Sequence, residues 1–561
     1  MPWREKSYDV LPALSIRGLE LRKSLRLVTI AWMYGIVWMS CTTGSHVKIY
    51  ARMLGFNDFL FGLLTAIPFI AGVGQLLAAV LIERSGLKKY QFLECGTAHR
   101  LSWLAVAAIP LALPVPSRWA VAAMLGVMAV SWFMASLASP ACMTWLGDLV
   151  PRRIRGRYFA SRFMYARPIQ ITVVMVLGIV LNTFADASKP ESKGAQPVLM
   201  WVICGIFAVA AVFGATDILL FRKVREVVRC RPDGVASPAF EFDEPAPDWW
   251  NPLSVPGYAW RLVAAAFRQL VRDPLRNRVF RNYVGYSTTL AFGVAVPGWF
   301  FWLNAMENLR FSPLAVNTLF LVISPVLGLI GAKWWGKALD RWGRKPVLVV
   351  ATVGTWLSVM PWFFATYGTP SPRFVADAVN WLCARAGELA GIRGFVLLGP
   401  GAPVGAYLIS IFAAVFGGIA WTGVQLAQNN VTLSFADTAA RSKYVAASSV
   451  MISLGGALGG ALGGFVAWLL GHIASSCGMP VVDVGPFHWN QWHATFAISW
   501  VTRMFSVLWL LRMHDPGAAS TRELVRHMTV NMYNALATWL FFPRRIFGWG
   551  RGGGGDYTEG Q

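Results

Sequence analysis

Residues 336–346 read GKALDRWGRKP, five charges and two glycines set between long apolar stretches. So polar a run does not sit in hydrocarbon, so it is a loop, and the stretches on either side are each long enough to cross a bilayer. A weaker copy, AVLIERSGLKKY, occupies residues 79–90. With Gly86 set on Gly343, Glu83 meets Asp340, Arg84 meets Arg341 and Lys88 meets Lys345, at a separation of 257. A second pair of loops repeats in the same way. RGRYFASR begins at Arg155 and RSKYVAAS at Arg441, so Arg157 meets Lys443 and Tyr158 meets Tyr444, at a separation of 286. The growth of 29 matches a longer loop between the ninth and tenth apolar stretches. The chain reads as one unit written twice in the same orientation.

The apolar stretches number twelve: 27–49, 59–82, 92–113, 119–141, 163–184 and 198–221, then 282–304, 314–336, 346–366, 404–428, 446–472 and 493–511. Of the 561 residues 56% are apolar and 14% charged, with a mean hydropathy of +0.51. A soluble domain carries about 25% charged residues. Disordered chains lack such apolar content, and seven cysteines are too few for a disulfide scaffold of this length. The expected fold is an all-α polytopic membrane protein with twelve transmembrane helices in two pseudo-symmetric halves. These are 1–221 and 282–512, joined by a linker, 222–281, and followed by a tail, 513–561. No cleavable signal is read ahead of the first helix.

Charge sets the expected orientation. Lys and Arg number 50 against 27 Asp and Glu, a net +23. With the N-terminus inside, 38 of the 50 fall on the inner side, nine on the outer side, and Arg100, Arg167 and Arg503 within helices. That bias places both termini in the cytoplasm of a cell (plasma or inner) membrane. It accounts for the surplus without nucleic acid, which would call for a basic cluster on one soluble module. Within the linker, Trp260, Leu262, Val263, Phe267 and Leu270 share a face opposite Arg261, Arg268 and Arg272, the pattern of a helix lying on the inner leaflet. In the tail, Leu524, Met528, Met532, Leu536 and Leu540 recur at helical spacing. The outer loop 367–403 is long, with a short helix expected over RFVADAVNWLCARAGEL. Cys383 and Cys477 both lie outside, and two free thiols are expected.

The stretch from Gly336 to Lys345 resembles the signature inner loop of the major facilitator superfamily, G-x-L-a-D-R-x-G-R-K, with Ala338 in place of Leu. The first-half copy is degenerate: Ala79 stands for Gly, Glu83 for Asp and Leu87 for Arg. The resemblance implies a transporter whose halves rock about a midplane site, and no enzyme. The fourth helix lacks Arg-x-x-x-Gly and the fifth lacks Gly-Pro, so the coupling mode, and whether the ion is a proton or sodium, stays open.

In that family the inner loops meet the opposite half when the inner side closes. Asp340 is therefore expected near Arg155, Arg157 and the start of the fifth helix, and Glu83 near Arg441, Lys443 and the start of the eleventh. Gly86 and Gly343 would permit the tight turns, with Arg84, Arg341 and Arg344 completing the latch. Plain topogenic charge is the bland alternative. The eleventh helix carries two stripes of small residues, Gly455, Gly459, Gly463 and Gly456, Gly460, Gly464. They are expected either at the second helix (Gly62, Ala66, Gly72, Gly74) or packed within their own half.

Polar residues at membrane depth are site candidates. The resemblance places the first, fourth, seventh and tenth helices around the cavity. Thr42 and His46, Trp132, and Trp421, Gln425 and Gln428 are the candidates there, with Arg167 and Gln170 from the fifth. Trp299 and Trp302 read as interface anchors, and His99, Arg100 and Arg503 as packing or lipid contacts. No carboxylate falls in the middle of an expected helix, Asp58, Asp148, Asp217 and Glu307 all lying near ends, so no carboxylate relay is expected. There is no Walker loop and no metal-ligand spacing. The expected protein is a monomeric secondary transporter without a cofactor, moving a small organic solute, with a sugar-like solute the first choice. Efflux of amphipathic compounds is the alternative. A non-transporting sensor or assembly factor on the same fold is the alternative of another class.

Overall fold

The computed structural model describes residues 18–85, 88–151, 154–186, 195–226, 254–389, 403–434, 441–477, 482–513, 521–526 and 529. The twelve apolar stretches become twelve rods, several of them broken. The first is α1 (Gly18–Thr42) continued by α2 (Ser45–Leu54). Gly44 makes the break, at φ 151°, where a Cβ would stand 2.9 Å from His46 Cε1. Next come α3 (Asp58–Ala71) with α4 (Gly74–Ser85), then α5 (Lys88–Ala112), α6 (Arg118–Leu149), α7 (Arg155–Asp186) and α8 (Ala195–Phe221). The linker contributes α9 (Ser254–Phe267). The seventh rod is α10 (Arg278–Ala295) and α11 (Phe300–Leu303), ending in a π-helical turn, Asn304–Asn308. The eighth is α12 (Pro313–Asn317), a second π-helical turn, Thr318–Ile323, and α13 (Ser324–Trp342). Then follow α14 (Arg344–Leu357) with α15 (Pro361–Phe364), α16 (Arg373–Leu389) in the outer loop, α17 (Val404–Ser434) and α18 (Arg441–Cys477). A hairpin of β1 (Val482–Val484) and β2 (Phe487–Trp489) precedes the last rod, α19 (Gln491–Leu511).

Rods start where a side chain can accept the orphan amides of a first turn. Asn57 Oδ1 accepts from the Leu60 amide at 2.9 Å, Ser117 Oγ from Ala120 at 3.1 Å and Ser312 Oγ from Ala315 at 3.2 Å. Asn490 and His493 form a reciprocal capping box at α19. Among the described residues, eleven helices are long and apolar enough to cross a membrane. The third rod, α5, has the length but carries Lys88, Lys89, Glu94, His99 and Arg100. It packs along α6 and α8, so burial among neighbours places it. The protein is a multi-pass, all-α membrane protein.

The packing of the core decides the arrangement of the halves. Near the face opposite the basic loops, one apolar cluster runs through both halves, from Tyr50, Phe61 and Phe207 to Phe300, Trp362 and Phe496. Near the basic loops the core divides in two. One cluster belongs to the first half (Val28, Phe92, Trp145, Phe221). The other is built by the second (Phe280, Tyr283, Trp335, Leu348), and α4 adds Leu76 and Leu77 to it. The halves are fused at the charge-poor face, whereas at the basic one each has its own core, bridged where α4 reaches the second with Leu76 and Leu77.

In the linker, α9 touches α4, and Trp260 and Phe267 are exposed beside exposed Arg261 and Arg268. The Leu262, Val263 and Leu270 side chains lie outside the described residues, as do Met528, Met532, Leu536 and Leu540 of the tail. The expected helix of the outer loop is α16. Cys477 is an exposed free thiol, and the Cys383 side chain lies outside the described residues.

Candidate functional site

The seam between the halves holds the strongest chemistry. At the charge-poor face Arg52 of α2 donates through Nε to Glu307 Oε1 at 2.7 Å, across to the second half, and through Nη2 to Asp58 Oδ1 at 2.6 Å. The other Asp58 oxygen accepts from Trp492 Nε1 at 3.0 Å and Gln491 Nε2 at 3.3 Å, both from α19. Burial on its own would lower the Arg52 guanidinium, but Glu307 and Asp58 outweigh it and hold it above its ordinary value. A guanidinium, two carboxylates, an indole and an amide, drawn from both halves, thus converge on one clasp.

Deeper along the seam, the Ser45 amide donates to Asn317 Oδ1 at 2.9 Å. Lys48, 5% exposed, lies with Nζ 3.8 Å from the ring centre of Trp302 and 4.5 Å from that of Trp299. These two tryptophans, expected as interface anchors, also hold the buried amine of a lysine from the other half. Ser45 Oγ, His46 Nδ1 and Asn304 Nδ2 are buried without a hydrogen-bond partner. Unmet polar atoms are rare inside proteins; these three lie near the meeting of the halves, and others are spread through the bundle.

Small residues make the close approach. Gly456, Gly460 and Gly464 of α18 face α3, against Phe69, Ala66 and Gly62. Gly455, Gly459 and Gly463 face Thr288 and Phe292 of α10 and Val296 just past its end, in their own half. Both expectations for the eleventh helix hold, one for each stripe. Gly72 packs on Ser453 across the seam, whereas Gly74 packs on Ser136 of its own half.

The expected cavity residues are placed as follows. His46 is wholly buried, its Nε2 2.8 Å from the Cys41 carbonyl, and Thr42 bonds within its own helix to the Trp38 carbonyl. Arg167 donates to Gln170 Oε1 at 2.6 Å, so these two act together. Trp132 lies beside His99 of α5, with ring centres 5.8 Å apart. Trp421 packs on the second half's core, Gln425 is exposed, and the Gln428 carbonyl accepts from Tyr283 Oη at 3.1 Å.

At the basic face Gly343, φ 85°, both ends α13 and opens α14, a conformation suited to glycine. Asp340 is exposed, and among the described residues it has no hydrogen bond or ion pair. Arg341 lies over the Trp342 ring at 5.0 Å, Arg344 is half-buried, and Lys345 donates to the Leu511 carbonyl. The side chains of Glu83, Arg84, Arg155, Arg157 and Arg441 lie outside the described residues, and so does Gly86 entirely.

One expectation changes. Arg100, read as packing or lipid contact, pairs with Asp217 Oδ2 at 3.0 Å and stacks on Trp38 at 3.6 Å. Asp217 lies near the end of α8 as expected, yet it is 4% exposed and fills the space left by Gly35 in the body of α1. A helix end in sequence need not be a bundle end in space. Arg503 does pack, donating to the Thr355 carbonyl at 3.0 Å, and His99 bonds Ser131 at 2.8 Å.

The sequence profile of the Major Facilitator Superfamily matches residues 27–404. The chain belongs to the Major Facilitator Superfamily. Solved structures similar to this superfamily member include the nucleoside transporter NupG, at 13% identity and a TM-score of 0.52, covering 88% of this chain and 99% of that one. A D-xylose–proton symporter is similar at 14% identity and a TM-score of 0.55, with 89% and 100% covered. A bacterial homologue of the human lysosomal transporter Spinster, in an inward-facing and unoccupied conformation, stands at 14% and 0.53, with 89% and 95% covered. At these identities the likeness is one of fold. No curated protein matches the sequence. The superfamily consists of membrane transporters of small molecules, and this member shares that general role.

Proposed function

We propose that the protein is a secondary transporter that moves a small polar organic solute by alternating access. The observation that carries the reading is the divided core. One apolar cluster fuses the halves at the charge-poor face, while separate clusters serve them at the basic face. Two bodies joined at one end and distinct at the other can rock about the join. The join is provided with a polar clasp, Arg52–Glu307–Asp58, and with a glycine seam, Gly62 on Gly464, both suited to parting and re-forming. Asp340, exposed here, is then free to dock near Arg155 and Arg157 when the basic face closes, and Glu83 near Arg441. Basic loops face the cytoplasm by the positive-inside rule, so this form is open inward.

Arg167 with Gln170, and Trp421 with Gln425, are the proposed solute-facing groups; His46 and Thr42, buried in this form, join them when the charge-poor face opens. Planar aromatic faces beside amide and guanidinium donors suit a hydroxylated, sugar-like solute. Proteoliposomes give the test. Radiolabelled glucose, xylose and uridine are offered with and without an imposed pH gradient. Saturable uptake reduced in Gln425→Ala supports the reading, and accumulation only with the gradient assigns proton coupling. Absence of flux across a broad solute panel would overturn it in favour of a sensor.

A further inference from the structure

Beside the seam, away from the clasp, lies an apolar cavity of about 340 Å³. Its walls come from α7 (Met175), from α12 and its π-helical turn (Leu314, Leu319), from α16 (Val375) and from α17 (Tyr407, Ile411). One of these elements, α7, belongs to the first half and the rest to the second. The volume lies within the usual range for small-ligand pockets.

The chemistry of the walls restricts the occupant. Thirteen residues line the cavity, and only Thr318 and Tyr407 among them carry a hydroxyl. Thr318 Oγ1 donates to the Leu314 carbonyl at 2.7 Å, and the Tyr407 ring is stacked on Phe311 at 3.8 Å. A polar guest would leave most of its groups unmet, and apolar cavities do not hold water well. The walls therefore favour a hydrocarbon guest.

Its source is written on the flank of the bundle. The cavity shares Leu408 with a second apolar groove, between α14–α15 and α17, where Met360, Phe412 and Phe416 are exposed. That groove lies on candidate membrane spans, so it faces lipid tails. Above the cavity, α16 turns Phe374, Trp381 and Leu382 outward, each at least 60% exposed. These residues recur at i, i+7 and i+8, the stripe of a helix resting in a membrane interface. The cavity thus adjoins the lipid-facing groove at Leu408 and is roofed by an interfacial helix.

We infer that this cavity is a binding site for an acyl chain of a bilayer phospholipid, and that the bound chain favours the form closed at the charge-poor face. The second part follows from the walls. Met175 of the first half lies 4.0 Å from Thr318 Oγ1 of the second, and Gly178 packs on Leu314. Opening that face must draw α7 from α12 and dismantle the site, so a guest binding only the assembled walls shifts the balance toward closure.

The full chain, reconstituted in phosphatidylcholine vesicles that contain a phospholipid with a diazirine in its acyl chain, tests this by photolabelling and peptide mass spectrometry. Adducts in peptides spanning Met175, Leu314–Leu319 or Tyr407–Ile411 should exceed those at the exposed Val212 several-fold. Leu319→Trp, which fills the cavity, should remove the excess and leave Val212 labelling as it was, with Ala315→Leu as a milder filler should the first fold poorly. Labelling no greater than at Val212, or unchanged by both fillers, would overturn the site. A parallel arm uses a free diazirine fatty acid. Enrichment with the free acid alone assigns the cavity to a soluble amphiphile and overturns the phospholipid reading. The state preference is read by spin labels at Arg118→Cys and Ser476→Cys, exposed positions outside the clasp, one in each half. A distance distribution broader in the filler variants than in the wild type supports the preference, and an unchanged or narrower one would overturn it. None of these readouts depends on transport, so they stand apart from the proposed solute.

Discussion

Gly464 of α18 and Gly62 of α3 stand so close that a Cβ built on Gly464 would lie 2.6 Å from the Gly62 Cα. Backbone meets backbone across the two halves, with Gly460 beside the Ala66 amide one turn away. In lipid, association rests on such van der Waals contact rather than on exclusion of water. The contact is smooth and free of interlocking side chains, which suits a joint that must pivot.

Gly464→Leu should therefore disable the joint. Overpacking of a close contact costs about 1–3 kcal/mol, and here the added atoms separate the halves. Uptake should fall at least tenfold while the detergent-solubilised protein remains monodisperse. Unimpaired uptake by a well-expressed variant would show that the contact is not a pivot.

The clasp predicts a shift in accessibility. The side chains of Arg52 and Glu307 are 29% and 37% exposed, and partly exposed pairs contribute about 0.2–1 kcal/mol. Glu307→Gln should weaken closure by that order, a few-fold in population. A cysteine at position 45, where Ser45 is buried at the seam, should then react faster with a membrane-impermeant maleimide. Equal rates with and without Glu307 would remove the clasp from the gate.

Asp217 makes a contrasting prediction, for stability rather than gating. It is buried against Arg100, and removal of one partner of a buried pair costs about 3–5 kcal/mol because the other charge is left unmatched. Asp217→Asn should lower the thermal midpoint strongly. Gly35→Ala, whose new Cβ would stand 2.8 Å from Asp217 Oδ2, should do so too. A midpoint unchanged from wild type for both would contradict the pairing.

Asp340→Ala tests the opposite face. Since Asp340 is exposed and has no partner among the described residues, the substitution should leave thermal stability unchanged. Uptake should slow severalfold, because the proposed latch serves the other state. A wild-type rate at equal expression would reduce the charge to a topological signal.

Lys48 carries the buried amine of the seam. Lys48→Met keeps much of its length and its apolar stem and removes the amine held between Trp299 and Trp302. Closure of the charge-poor face no longer has to bury an amine, so spin labels at Arg118→Cys and Ser476→Cys should report a narrower, shorter distance distribution. A broader distribution would mean that the amine–aromatic contact stabilises closure more than desolvation opposes it.

Much of the architecture is carried by local sequence. Apolar length specifies a membrane span, since hydrocarbon offers no partner to an open backbone. The duplicated loops around Gly86 and Gly343 point to two like halves, and the glycine stripes of α18 announce close contact before any partner is known. All of these are properties of short windows. What no window holds is which groups meet. Arg52 and Glu307 are 255 residues apart, Lys48 reaches tryptophans of the other half, and α5 crosses the bundle with His99 met by α6 and Arg100 by α8. Asp217 looked terminal because depth in a bundle depends on how rods are staggered, which distance along the chain does not record. Sequence alone determined the number and kind of the rods and their repetition. The tertiary structure decided which face is shut, because closure is a property of pairs brought together only by packing.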